Sequence, residues 1–83
     1  MRRYRATFWK EGESASIEFE CHDEGEPDNG DCRVVQVDEP LAPVVSPGAD
    51  PQDTWKLIFR AGWHMPPGQS RVEPEVVAEQ GNH

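Results

Sequence analysis

Alternation of apolar and polar residues near the start of the chain constrains its fold more than any other feature. Apolar side chains occupy every second position in residues 4–8 and again in residues 17–21. Alternate side chains of a β-strand point to opposite faces, so each segment predicts a strand with one buried and one polar face. Gly12 lies between them, and glycine accepts the positive φ that the first central residue of a type II′ turn requires. The sequence therefore predicts a β-hairpin.

A type II′ turn that starts at Gly12 also predicts how the two strands align. It sets Phe8 opposite Ile17 on the apolar face and Arg5 opposite Glu20 on the polar face. A shift by one residue would carry every apolar side chain to the polar face, so we expect the faces to be strongly specified. The remaining apolar pairs in this register are Ala6 with Phe19 and Tyr4 with Cys21.

Residues 32–37 predict a third strand that continues the meander. The favoured register sets Cys21 opposite Cys32 and Glu20 opposite Arg33, and it sets Phe19 opposite Val34. The polar face then holds a row formed by Arg5, Glu20 and Arg33, whose cross-strand pairs contribute about 0.2–1 kcal/mol each. A tighter turn at positions 29–30 would shift this register by an even number of residues and leave the faces unchanged.

An apolar patch interrupts the polar face, because Trp9, Val35 and Val37 fall on that side of the predicted sheet. The following residues 38–53 contain four prolines and predict an extended connection without regular structure. We expect this connection to cover the patch around Trp9. The apolar residues available for that contact are Leu41, Val44 and Val45.

Residues 51–61 fit two different elements. As a helix, the segment has Asp50 at the N-cap, Pro51 in the first turn and Gly62 just beyond the C-terminus. Its apolar arc would hold Trp55, Ile58, Phe59 and Ala61 and would cover the apolar face of the sheet. As a strand over 54–61, the same residues would form an all-β fold, which the content of β-branched and aromatic side chains favours.

These elements predict an α+β fold with a three-stranded antiparallel meander over about 3–10, 15–22 and 32–37. One short helix, about 51–61, lies on its apolar face, and the alternative is an all-β fold with 54–61 as a fourth strand. A chain of 83 residues predicts a single domain. We assign residues 1–65 to that domain and residues 66–83 to a loosely ordered tail.

Charge is strongly segregated in this chain, whose formal net charge is −8. Residues 1–10 hold four basic and no acidic side chains, whereas residues 11–31 hold nine acidic side chains and no Lys or Arg. An acidic surface is repelled by nucleic-acid phosphates and attracted to basic protein surfaces. No segment resembles a secretory signal or a membrane span, so we expect a cytoplasmic protein without direct nucleic-acid or membrane binding.

Two cysteines and three histidines limit the metal and redox chemistry that this chain offers. Cys21 and Cys32 fit three interpretations, namely two buried apolar residues, a disulfide, or a metal or redox pair. Their spacing with His22 and His64 matches no zinc motif, and the acidic loop 23–31 lacks the ligand spacing of an EF-hand. No nucleophile–base pair or phosphate-binding loop is present. We therefore expect no cofactor and no enzymatic activity.

The function that the sequence favours is a small acidic protein-binding module. It would act as an inhibitor or modulator of the phage or mobile-element type, in the host cytoplasm, by presenting carboxylates to a basic surface that otherwise binds nucleic acid. The alternatives are a structural or assembly subunit and a metal-binding or redox domain. The predicted acidic residues are Glu11, Glu13, Glu18, Asp23, Glu24, Glu26, Asp28 and Asp31. The predicted apolar anchors are Trp9, Trp63 and Met65.

Overall fold

A four-stranded antiparallel sheet with one helix on its apolar face forms the protein. The computed structural model describes residues 1–22 and 32–79. The strands are β1 (Arg2–Lys10), β2 (Glu13–Cys21), β3 (Cys32–Val37) and β4 (Glu75–Glu79), in the spatial order β3-β2-β1-β4. A 3-10 helix covers Glu39–Leu41, and the α-helix α1 covers Pro51–Arg60. This confirms the α+β class with an antiparallel sheet but corrects the number of strands from three to four.

The hairpin of β1 and β2 has the predicted faces but a register shifted by two residues. Phe8 lies opposite Ala15 rather than Ile17, and Arg5 lies opposite Glu18. The turn explains the difference, because Glu11 and Gly12 are its two central residues and both have positive φ, 51° and 83°. That is the type I′ conformation, whose twist matches the flanking strands. A two-residue shift conserves the faces because the side-chain period is two.

The predicted register between β2 and β3 is confirmed at its first three pairs, and the alternative register is wrong. Cys21 lies opposite Cys32, and the next two pairs keep the same register. A bulge then interrupts the register between Phe19 and Glu18 of β2. Beyond the bulge, Val37 lies opposite Ile17 and packs against the core, so its predicted place on the polar face is wrong. An extra residue in one strand reverses the alternation, which the sequence pattern alone does not reveal. The other two confirmed pairs are Phe19 with Val34 and Glu20 with Arg33.

The helix predicted over 51–61 is confirmed, and the strand predicted over 54–61 is wrong. The Asp50 side chain accepts a hydrogen bond from the Gln52 backbone N–H at 2.8 Å, which caps the first turn. The Trp55 ring lies 5.7 Å from the Phe8 ring and 5.6 Å from the Phe19 ring. The helix therefore covers the centre of the apolar face, which an additional strand in the same sheet would leave open.

The proline-rich connection joins the main core rather than covering Trp9. Leu41 and Val45 are fully buried in the same cluster as the helix residue Ile58. The expectation that they cover the Trp9 patch is therefore wrong. Further along, the backbone of Val34 in β3 hydrogen-bonds to Gly48 and Ala49 at 2.7 and 2.9 Å. The connection thus also occupies the outer edge of β3.

The fourth strand comes from the segment predicted as a loosely ordered tail. β4 pairs with β1 from Arg2 to Arg5, with a bulge at Val77. Closer to the turn, the same edge of β1 is bridged by His64, whose backbone N–H and carbonyl bond to Trp9 at 2.9 and 2.7 Å. Segments that follow the helix therefore complete this side of the sheet.

Candidate functional site

An open groove lies on the helix side of the sheet, beyond the C-terminal end of α1. Its volume is about 780 Å³. Three parts of the chain form it, namely the hairpin turn, the start of the proline-rich connection and the residues that follow the helix. The lining residues are Lys10, Glu11, Glu13, Glu39, Pro40, Val44, Ala61 and Trp63. The groove thus combines three carboxylates with a smaller apolar part formed by Pro40, Val44, Ala61 and Trp63.

The hairpin turn positions two of the three carboxylates. Both Glu11 and Glu13 are exposed, and they flank Gly12 at the tip of the sheet. A Cβ built on Gly12 meets no atom within 4 Å, so the glycine is needed for its positive φ of 83° rather than for space. The type I′ turn therefore fixes where these acidic side chains leave the backbone.

The start of the proline-rich connection positions the third carboxylate. Ser16 of β2 donates its backbone N–H to the Asp38 carboxylate at 2.8 Å and accepts a hydrogen bond from the Asp38 N–H at 3.0 Å. Three residues later, Leu41 is fully buried. Glu39 and Pro40 lie between these two fixed points, and both are exposed. The Glu39 carboxylate is therefore held beside the hairpin.

The one basic residue of the groove is engaged with the end of the helix. Lys10 donates a hydrogen bond from Nζ to the Ala61 carbonyl at 2.9 Å, and its Nζ lies 5.9 Å from the centre of the Trp63 ring. Both contacts are favourable, because the C-terminal carbonyls of a helix and the face of an indole attract a cation. Lys10 forms no ion pair with Glu13, its cross-strand partner, within the described residues.

The three groove carboxylates outnumber the one cation of the groove, Lys10. Within residues 1–22 and 32–79, Glu11, Glu13 and Glu39 form no ion pair and no side-chain hydrogen bond. Their charges are free to act on a cation from outside the chain. Pro40 and Val44 provide apolar surface beside them, suited to the aliphatic part of a Lys or Arg side chain.

Glu18, which the sequence placed on the acidic surface, lies in a different environment. It belongs to the polar face of the sheet, where its carboxylate contacts Arg3 Nε at 2.7 Å and Arg5 Nη2 at 3.0 Å. Its side chain is only 15% exposed. The predicted Arg5–Glu20 pair is also wrong, because the register sets Arg5 against Glu18 and leaves Glu20 3.7 Å from Arg3.

The other predicted binding residues are distributed over three places. Trp63 is 6% exposed and packs in the core, so it lines the groove but does not project as an anchor. Trp9 and Met65 are half-buried and lie outside the groove lining. The remaining acidic residues fall outside the described residues, and their predicted role stays a prediction. They are Asp23, Glu24, Glu26, Asp28 and Asp31.

Sequence reasoning missed Glu39, Pro40 and Val44 as site residues. They lie in the proline-rich connection, which we expected to cover Trp9. A spacing of four between Leu41 and Val45 was the available signal, because two buried apolar residues one turn apart would anchor the connection. The signal is weak without knowledge of the surface that these residues contact.

Cys21 and Cys32 form a disulfide between β2 and β3, with their Cα atoms 4.1 Å apart. This is the second of the three interpretations offered by the sequence, and it removes both sulfur atoms from metal binding. Within residues 1–22 and 32–79, no group of three or more His, Cys, Asp or Glu side chains is arranged to hold a metal ion. The predicted cytoplasmic location stays a prediction, and the disulfide weighs against a reducing compartment.

Comparison with protein-family models, with curated proteins and with solved structures finds no match to this chain. The residues that the structure describes include no helix that is long and apolar enough to cross a membrane.

Proposed function

We propose that this protein is a non-enzymatic binding module that presents acidic residues to a basic surface of a partner protein. The observation that carries the proposal is the groove, in which Glu11, Glu13 and Glu39 share the lining with Pro40 and Val44 and lack partners of their own among the described residues. A Lys or Arg side chain satisfies both parts, with its cation among the carboxylates and its stem against Pro40 and Val44.

Charge outside the groove supports the same class of partner. The chain has a formal net charge of −8, and five further acidic residues lie between positions 23 and 31. A negative electrostatic potential over the surface of a small protein accelerates its association with basic surfaces and disfavours its association with acidic ones. Carboxylates spaced along a surface also imitate phosphates, so the partner's basic surface would be one that binds nucleic acid. Bound there, the protein would act as an inhibitor or modulator.

Affinity capture with matched baits tests this function. The groove variant is Glu11→Gln/Glu13→Gln/Glu39→Gln, and the control is Ser46→Lys/Asp53→Asn/Gln69→Lys, which changes net charge equally at exposed positions outside the groove and outside β4. Each bait is incubated with lysate from the source organism at low and at high salt, and captured proteins are identified by mass spectrometry. We expect the wild-type and control baits to capture a protein with a basic surface at low salt.

The groove variant should fail to capture that protein, and high salt should release it from the other two baits because exposed ion pairs are screened. Equal capture by all three baits would contradict the proposal. A second assay measures modulation directly: the purified partner is bound to labelled nucleic acid, and the wild-type protein should displace the label while the groove variant does not.

A further inference from the structure

The outer edge of β4 has no neighbouring strand in the described part of the chain. At the opposite side of the sheet, Gly48 and Ala49 hydrogen-bond to Val34 and occupy the edge of β3. Within residues 1–22 and 32–79, the backbone of β4 pairs with β1 alone. An edge strand with free N–H and C=O groups is a template on which another extended chain can form backbone hydrogen bonds.

The side chains of β4 expose apolar surface at this edge. Val76 is 49% exposed and Val77 is 36% exposed. Val76 lies opposite Tyr4, which is itself opposite Phe19, so Val76 ends an apolar row that crosses the helix face of the sheet. Trp55 of the helix covers Phe19. An added strand would extend this row beyond Val76 and bury it.

Charge identifies the kind of chain that fits this edge. Glu73 and Glu75 are exposed, and Glu75 has no ion-pair partner in the described part of the chain. A second copy would bring the same acidic residues and a net charge of −8 against this edge, and like charges on neighbouring strands destabilise their pairing. A chain with Lys or Arg beside alternating apolar residues has the complementary charge and pattern.

We propose that β4 binds an extended segment of another protein, which pairs with it as a fifth strand and carries basic residues next to alternating apolar ones. This inference goes beyond the proposed function, because it uses a different surface and depends mainly on backbone hydrogen bonds. The groove and the β4 edge are then separate sites on one molecule.

An NMR titration of the full chain with a synthetic peptide tests the inference. The probe is the capped peptide Thr-Val-Lys-Val-Lys-Val-Thr, in which Val and Lys alternate so that Val can face Val76 while Lys faces Glu75. Its control has the same sequence with alternate backbone nitrogens methylated, which keeps the charge but removes the N–H groups on one edge. We expect the probe to shift the backbone amide signals of residues 75–79 and to slow their hydrogen exchange. The methylated peptide should leave both unchanged.

Protein variants separate this edge from the groove. Glu75→Lys at the edge should weaken binding of the probe by roughly three- to tenfold, because an attractive cross-strand pair becomes repulsive. The groove variant Glu11→Gln/Glu13→Gln/Glu39→Gln should leave the shifts at 75–79 unchanged, whatever it does to binding at the groove.

Three results would overturn the inference. The first is equal binding of the methylated peptide, and the second is a set of shifts confined to residues 10–13, 39–44 and 61–63. The third is a doubled molecular mass of the free protein in light scattering, together with slow hydrogen exchange at residues 75–79 that is lost on dilution. The second result would leave the groove proposal intact, and the third would assign the edge to a second copy of this chain.

Discussion

Removing the disulfide between Cys21 and Cys32 should lower the free energy of unfolding by an amount that the loop length predicts. The two residues are 11 apart in the sequence, and the bond closes the acidic loop between β2 and β3. The variant Cys21→Ala/Cys32→Ala opens that loop. The chain-entropy relation for a closed loop of this length gives about 2.8 kcal/mol at 25 °C.

Urea unfolding followed by far-ultraviolet circular dichroism measures this loss. With a denaturant dependence of about 1 kcal/mol per molar for a chain this small, the midpoint should fall by roughly 2–3 M. Wild-type protein in excess reductant is the matched control, because it loses the bond while keeping both sulfur atoms. Its midpoint should lie close to that of the variant, and the difference between the two reports the packing lost with the sulfur atoms.

Two results would refute this reasoning. Free-thiol titration of the unfolded, unreduced protein should detect no thiols, and detection of two would show that the bond is absent. An unchanged midpoint in both the variant and the reduced wild type would show that the loop is held closed by other contacts.

Three further substitutions test the elements that build the groove, each by urea unfolding. Asp50→Ala should cost about 1 kcal/mol because the Gln52 N–H loses its cap, and Asp53→Ala in the same first turn should cost distinctly less. Gly12→Ala should cost about 1–2 kcal/mol because φ is 83° there, whereas Gly12→Asn, which tolerates this conformation, should cost less than alanine. Ile58→Ala should cost about 2–5 kcal/mol because its side chain is fully buried, and Leu57→Ala, whose residue is 42% exposed, should cost well under half of that. Equal losses of stability for the two variants of any pair would contradict the explanation given for that pair.

The faces of the sheet could be predicted from the sequence, but the alignment of the hairpin could not. Alternation in 4–8 and 17–21 identifies the buried side chains, and any even shift preserves it. The choice between the two turns depends on whether Glu11 adopts positive φ, which is an uncommon conformation for a residue with a side chain. The bulge that moves Val37 to the core face could not be predicted either, because one extra residue does not visibly change the apolar pattern of a strand as short as β3.

β4 and the groove could not be predicted because both depend on contacts between distant parts of the chain. Residues 75–79 lack an alternating pattern, and they form a strand by pairing with the first residues of β1. The helix was predictable to the extent that its signals are local, namely Asp50, Pro51 and Gly62. The groove joins residues 10–13, 39–44 and 61–63, whose proximity follows from the burial of Leu41 and the position of the helix end.

Calorimetric titration with a hexa-arginine peptide tests the central claim, that the three groove carboxylates bind cations. We predict that Glu11→Gln/Glu13→Gln/Glu39→Gln binds roughly tenfold more weakly than wild type at low salt, since each exposed ion pair contributes about 0.2–1 kcal/mol. The control Ser46→Lys/Asp53→Asn/Gln69→Lys, with the same net charge, should lose clearly less affinity. Equal losses in the two variants would contradict the claim, because the peptide would then respond to overall charge and not to the groove.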